Sequence, residues 1–466
     1  MTAMAVPLPG SDSVCTVESL VAQAPITKDA WGEELAVSPE RDLLFVQANA
    51  RPGIPGSQFG AIDVYELHGD GTFTWIDEIT PVVPEHDANF GEHIVALNDM
   101  LIVSAWSADV DGVVDAGQVF SYRRTSDGWI GEPVVEDPPC PYRYLGTSIA
   151  ANDATLLVTG LECASDQKVV RVYRREGDHW LLETTIRPPN CTEDQCPIAF
   201  GAGLAVGPDF LAIADPNPEP FVPLEGIVHI CERKGGDGAW EIVQSLTPSV
   251  PSDAAEFGSN MLVLDDDTLL IVARYEFSSQ PARVYIFTRG EDGVWAETDE
   301  IIVATDSGSF EQFGHRLALA PDRQSFLSVA RRSFLPAEPL HGVVYHIDLK
   351  TGAQKLMRPV NAWSDRDVVS AAYLTNDTIL IGESNASPFG LQYAGQVFRV
   401  DLNSYVNCHQ DLTRDGTVGV DDLVQMLSEW GSGMPSSDLD CSGAVDFMDV
   451  LLLLSVWGEC AMPPGI

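Results

Sequence analysis

Two acidic stretches near the C-terminus carry the most regular chemistry. The first holds Asp411, Thr413, Asp415, Gly416, Thr417, Val418 and Asp422; the second holds Asp438, Asp440, Ser442, Gly443, Ala444, Val445, Asp446 and Asp449. The second starts 27 residues after the first. Oxygen donors at alternate positions of a turning loop converge, which is what a hard cation with six to eight oxygen ligands needs. In such a twelve-place loop, places 1, 3 and 5 offer side-chain oxygens and place 7 a backbone carbonyl. Place 9 often works through water, and place 12 offers a carboxylate. The sharp turn at place 6 accounts for the two glycines. The metal set expected here is therefore Asp411, Thr413, Asp415, Thr417 and Asp422, then Asp438, Asp440, Ser442, Ala444, Asp446 and Asp449, with Ca2+ as the ion. A third, lone loop has a similar pattern: Ser107, Asp109, Asp111, Gly112, Asp115.

No catalytic constellation of adequate specificity stands beside these loops. Gly-x-Ser-x-Gly and His-Glu-x-x-His are both absent. The nine histidines are scattered, and carboxylates are so abundant that no pair of them is informative. No catalytic residue is assigned from the sequence.

The elements that must position these groups follow from the rest of the chain. Its 466 residues carry 69 acidic and 26 basic side chains, a formal charge of −43. Such a surface repels phosphate backbones and anionic membranes, so nucleic-acid partners are excluded. Apolar residues make up 45 %, enough for a substantial core. The longest apolar run near the end, Val450 to Leu454, is far short of the roughly 20 residues that span a bilayer. Met1 to Gly10 has no basic residue and no sustained apolar stretch, so no signal peptide is visible. The nine cysteines, none in a CxxC pair, nevertheless argue for an extracellular or cell-surface location, and Cys191 and Cys196 suit a local disulfide.

The pair Phe-Gly or its near equivalent recurs along the chain: Trp31-Gly32, Phe90-Gly91, Leu145-Gly146, Phe200-Gly201, Phe257-Gly258 and Phe313-Gly314. The glycines are 59, 55, 55, 57 and 56 residues apart, and a seventh unit follows near Ser370 without the pair. Within each unit come an alternating strand, a polar turn, a second apolar strand and a third strand opened by Gly. Gly117-Gln118-Val119-Phe120 and Gly395-Gln396-Val397-Phe398 are examples of the third. An Asp-Gly turn, a strong hairpin signal, leads to a fourth strand near a Trp. Seven units of four short strands describe a mainly β fold, a seven-bladed β-propeller. The segment Val14 to Val21 is expected to complete the last blade, leaving no free sheet edge.

The repeat resembles the FG-GAP repeat of integrin α-chain heads and bacterial secreted propellers, over residues 14–402. The Gly-Ala-Pro half is degenerate, with Ser104-Ala105, Thr159-Gly160 and Ala273-Arg274 in its place. Some such repeats carry a calcium loop, which is the reading of Ser107, Asp109, Asp111 and Asp115 in the second unit. After a linker at 403–406, residues 407–460 resemble a type I dockerin: two loop-helix units with Asp at place 12. The resemblance implies a small all-α calcium-binding domain that docks on a cohesin-like module. Its partner-binding residues fall at places 10 and 11, here Val420-Asp421 and Phe447-Met448. It also implies that the ends of the unit lie close together, so Cys408–Cys460 is the first pairing to consider and Cys441–Cys460 the rival. The function expected on these grounds is a secreted, calcium-binding, non-catalytic adhesion or recognition propeller. It would hold a glycan or protein ligand and be tethered through the dockerin. The alternative is a polysaccharide-active enzyme, a glycoside hydrolase or lyase, with the propeller as its catalytic module.

Overall fold

The computed structural model describes residues 18–402 apart from 41, 50–58, 69–71, 84–87, 135–139, 164, 166, 190–198, 217–225, 235–237, 251–255, 275–281, 304–311, 334–340, 358–367, 388–390 and 392; beyond these it describes 412–413, 417–431, 437, 445–455 and 457–459. Seven four-stranded antiparallel sheets form the blades of a propeller. The inner strands, in chain order, are Leu35–Val37, Phe90–Ala96, Ile149–Ala151, Leu204–Val206, Glu256–Asp265, Gln312–Leu319 and Val368–Tyr373. Each lies against the inner strands of the two neighbouring blades, the seventh against the first, so they line a central axis.

The repeat pair explains how the blades pack. Trp31, Phe90, Leu145, Phe200, Phe257 and Phe313 are all buried. Every glycine that follows them has a positive φ, between +77° and +98°. A side chain there would also meet the preceding blade: a Cβ on Gly314 would lie 2.5 Å from Val272 Cγ1. The glycine that opens the third strand does the complementary job. A Cβ on Gly395, φ +86°, would lie 2.0 Å from the Trp31 carbonyl oxygen. The two glycine positions therefore interlock adjacent blades, which is why the sequence repeats them. In the seventh unit Ser370 replaces the pair, and its hydroxyl donates to the Gly32 carbonyl at 2.7 Å.

The ring closes as expected. Glu18–Leu20 is the outer strand of the last blade, paired with Gln396–Asp401 in the register Glu18–Arg399, Ser19–Phe398 and Leu20–Val397. A disulfide that the sequence did not single out, Cys140–Cys163, ties two loops of the third unit. Cys231 is a free, buried thiol, and burial raises its pKa to about 12. Cys191, Cys196, Cys408, Cys441 and Cys460 lie outside the described residues.

After the propeller come two nine-residue helices, α1 (Val420–Ser428) and α2 (Phe447–Ser455). They share a small core of Val418, Met426, Val445 and Leu453. The loop residues Val418 and Val445 share this core, and Val418 pairs as a strand with Gly458. No described helix is long and apolar enough to cross a membrane.

Candidate active site at the mouth of the axial channel

The two residues after each repeat glycine begin the inner strands, so they ring one end of the axis. Around the ring they are Glu33-Glu34, Glu92-His93, Thr147-Ser148, Ala202-Gly203, Ser259-Asn260 and His315-Arg316. Three blades contribute small or neutral residues. The three blades that carry charge or imidazole are the sixth, first and second, which share one arc once the ring has closed through the seventh. Below this arc is a cavity of about 290 Å³, lined by residues 34–37, 94–96, 316–319 and 370–373.

Arg316 Nε donates to Glu34 Oε2 at 3.0 Å, across 282 positions of sequence. The pair is largely sheltered, the Arg side chain 30 % and the Glu 15 % exposed. Burial raises the Glu34 pKa, and the Arg316 guanidinium only partly opposes it. Glu33 accepts from Asn49 Nδ2. Its pKa is also raised, by burial first and by the like charge of Glu92, against the pull of Arg331 and Arg316. Glu92 accepts from the Trp106 indole N–H.

The two imidazoles stay neutral. Burial, with Arg316 nearby, lowers His93 to about 4. Burial, with Arg316, Arg331 and Arg274 around it, lowers His315 to about 3. His93 Nε2 lies 3.0 Å from the Thr147 carbonyl. A carbonyl only accepts, so Nε2 carries the proton and Nδ1 the lone pair. Three buried polar atoms at the first post-glycine position, Thr147 Oγ1, Ser259 Oγ and His315 Nδ1, have no hydrogen-bond partner within the described protein. Buried polar atoms without protein partners, spread over the third, fifth and sixth blades at one channel end, are what a polar ligand site presents. The arrangement combines carboxyls that hold protons unusually well, guanidinium groups and neutral imidazoles. Such a set transfers protons and stabilises a developing oxyanion.

The sites expected from sequence lie elsewhere. The lone acidic loop is a tight hairpin in which Val110 and Val113 exchange backbone hydrogen bonds around Asp111 and Gly112, both at positive φ. Asp109 Oδ1 accepts the Asp115 N–H at 2.8 Å, and Ser107 Oγ accepts from Asn89. Among the described residues no three Asp, Glu, His or Cys side chains are close enough to share a metal ion, and that loop is included.

In the tail, Asp411, Asp415, Asp438, Asp440, Ser442 and Ala444 lie outside the described residues. The two place-12 carboxylates, Asp422 and Asp449, are buried at the starts of the helices. Asp422 accepts the Gly419 N–H at 2.7 Å, the Thr413 N–H at 2.8 Å and the Thr413 hydroxyl at 3.0 Å. Asp449 accepts the Asp446 N–H at 2.6 Å. Each thus closes the first turn of its helix, as a capping-box carboxylate does. Thr417, Asp446, Val420, Asp421 and Phe447 are exposed, and Met448 is half-buried.

No protein-family model matches the chain, and no curated protein sequence does. Solved structures of like fold include the periplasmic gluconolactonase of Pseudomonas aeruginosa, at 15 % identity, 70 % of this chain, 84 % of that one and TM-score 0.43. They also include a Bacteroides fragilis protein described as a candidate 6-phosphogluconolactonase (10 % identity, 70 % and 83 % covered, TM-score 0.43). A third is a protein from Lactobacillus plantarum (15 % identity, 73 % and 86 % covered, TM-score 0.44).

At this distance the likeness is one of fold, and the fold is a propeller. The expectation of a non-catalytic adhesion propeller, and of a chain more probably not an enzyme, is corrected here. The channel mouth holds a sheltered cluster of carboxyl, guanidinium and imidazole groups that no linear motif marks. The signal was present in the sequence: the post-glycine pair is charged or carries imidazole in three units and small or neutral in the others.

Proposed function

We propose that the chain is an enzyme that hydrolyses small esters, lactones first, at the mouth of its axial channel. The observation that carries this reading is Glu33, a sheltered carboxyl of raised proton affinity under the charges of Arg331, Glu92 and Arg316, with the neutral His93 and His315 on the same arc of the ring. A carboxyl of raised pKa exchanges protons near neutral pH more readily than an exposed one. In the reaction Glu33 takes a proton from water as the oxygen attacks the ester carbonyl. Arg316, held in place by Glu34, hydrogen-bonds the carbonyl oxygen as it becomes an oxyanion. The ring C–O bond then breaks, and the departing alkoxide recovers the proton from Glu33. Lactone and water give one hydroxy acid, whose carboxyl proton passes to solvent and whose carboxylate stays paired with the guanidinium until release. Neutral His93 and His315 offer hydrogen bonds without adding charge. The names of the like propellers supply the ester class to try first, and nothing more.

The test is proton release from a panel of sugar lactones in a pH-stat, with Glu33→Gln alongside. Turnover by the wild type, with kcat about 10²–10⁴-fold lower in the variant, is expected. A wild type no faster than the spontaneous reaction, or a variant that keeps its rate, would overturn the proposal.

The tail is proposed as a dockerin-like calcium-binding unit, and the propeller repeat as FG-GAP-like in its aromatic-glycine half. Two buried carboxylates at place 12, in units 27 residues apart, support this and suit a cation. Calcium would be held by the loop oxygens and would neutralise carboxylates that otherwise repel. Exposed apolar residues recur in register on the helices, Val420, Val424, Leu427 and Trp430 against Phe447, Leu451, Leu454 and Trp457. They are the surface a cohesin-like partner would cover. Calorimetric calcium titration of the full chain should give two sites, and no binding would refute the assignment. The Cys140–Cys163 bond supports an oxidising, extracellular setting.

A further inference from the structure

Three aromatic rings lead away from the channel mouth. Trp106 directly follows the second strand of blade two, and its indole N–H donates to Glu92 at the mouth. Tyr144 lies against Trp106, ring centroids 6.0 Å apart and planes at 57°. Tyr142 continues the row, 6.3 Å from Tyr144 at 45°, and is 56 % exposed.

The row is held against its own preference. Tyr142 and Tyr144 both have positive φ, +56° and +49°, which is uncommon for bulky residues. Their N–H groups donate to the carbonyls of Val114 and Asp115 at 3.0 and 3.1 Å. Cys140, two positions before Tyr142, is tethered to Cys163. A buried core does not explain this expense of conformation, because the outermost ring stands in solvent.

The chemistry of the occupant can be narrowed. Aromatic centroids about 4.5–7 Å apart are in direct ring contact, so no ammonium group fits between them as in an aromatic cage. Anionic planar ligands such as nucleotides are repelled by Glu92 and by Asp109, Asp111 and Asp115 on the adjoining loop. What remains is a neutral ligand with flat C–H faces and hydroxyl edges. We propose that Trp106, Tyr144 and Tyr142 form a stacking subsite for neutral oligosaccharide, which guides a sugar-bearing substrate toward Glu92 and the channel mouth. The proposal rests on the reading of the mouth as the active site only for its direction; the stacking itself does not require turnover.

The experiment is isothermal titration of gluco-, xylo- and manno-oligosaccharides into the full chain. Tyr142→Ala, Tyr142→Phe, Tyr144→Ala and Glu33→Gln variants run in parallel, with a uronic-acid oligosaccharide as the charged control. At least one neutral series should bind, five- to ten-fold more weakly in Tyr142→Ala and Tyr144→Ala. Tyr142→Phe, which keeps the ring, should bind as the wild type does. Glu33→Gln should also bind normally, so that loss of catalysis and loss of the subsite are read apart. Tyr142 is exposed, so its variants report even where Tyr144→Ala perturbs the loop. The proposal falls if no neutral series binds, if Tyr142→Ala binds undiminished, or if the uronic-acid control binds more tightly.

Discussion

Replacing Arg316 with Met tests the electrostatics of the channel mouth most directly. The guanidinium and the Glu34 carboxylate are 3.0 Å apart. At that separation Coulomb's law gives about 1.4 kcal/mol in bulk water and about 5 kcal/mol at an effective dielectric of 20. The side chains are 30 % and 15 % exposed, so the pair lies between these limits. Breaking a fully buried pair costs about 3–5 kcal/mol, and screening of this one lowers the expected loss to about 2 kcal/mol.

The sign of the pH dependence is fixed as well. Without Arg316, burial holds the Glu34 pKa further above its unfolded value. Below the unfolded value Glu34 is protonated in both states, and the variant loses only packing. As pH rises past it, the unfolded carboxyl ionises while the folded one stays protonated, and stability falls. The loss in Arg316→Met should therefore grow between pH 4 and pH 8. Urea denaturation is the suitable assay, because guanidinium chloride would screen the charges. Adding Glu34→Gln should return at least half of the loss, which closes a double-mutant cycle. A loss below about 0.5 kcal/mol, or one that shrinks as pH rises, would refute the reasoning.

Three further outcomes follow from the same structure. His93 and His315 have folded pKa values of about 4 and about 3, below their unfolded value, so the stability they contribute is lost as pH falls from about 6.5. A variant with both replaced by Gln should lose less Tm than the wild type between pH 6.5 and 4, and parallel melting curves would count against this. Gly395→Ala puts a Cβ 2.0 Å from the Trp31 carbonyl at positive φ. It should cost more than about 3 kcal/mol or abolish soluble expression, and a wild-type Tm would show that the blades do not interlock there. Cys231 is buried with its thiol pKa raised to about 12. It should resist maleimide in the folded protein and react on unfolding in urea, whereas prompt labelling of Cys231 in the native state, located by peptide mapping, would contradict its packing.

The propeller was legible because its packing rule is local. A large apolar plug followed by a left-handed glycine recurs in six of the seven blades, and Phe90-Gly91, Phe200-Gly201 and Phe313-Gly314 display it in the linear sequence. The channel mouth was not legible as a constellation. Arg316 meets Glu34 only because the seventh blade brings the end of the ring beside its start, and no spacing motif encodes a contact across 282 positions. The acidic loop of blade two illustrates the reverse case. Its spacing suggests converging oxygens, and the same residues also close a hairpin in which Asp109 accepts the Asp115 N–H, so spacing alone does not separate the two readings. Cys140–Cys163 escaped notice because a separation of 23 residues marks no known pairing. In the tail, a carboxylate at place 12 and a capping-box carboxylate are one residue seen twice, and sequence alone does not separate the two roles.

The closure of the ring has a mechanical side. Among the described residues the strand Gln396–Asp401 is clamped by six residue pairs on one side and three on the other, the three being those with Glu18–Leu20. The tail continues from that same strand. A pull on the tail, as from an anchored partner under flow, therefore loads the seam of the ring before any other blade. Among the described residues the three-pair clasp is the shorter flank of that strand, and opening of the ring under load is expected to start there. Strengthening it by one more pair, or by a crosslink between residues 19 and 398, would raise the opening force without touching the channel where the chemistry is proposed.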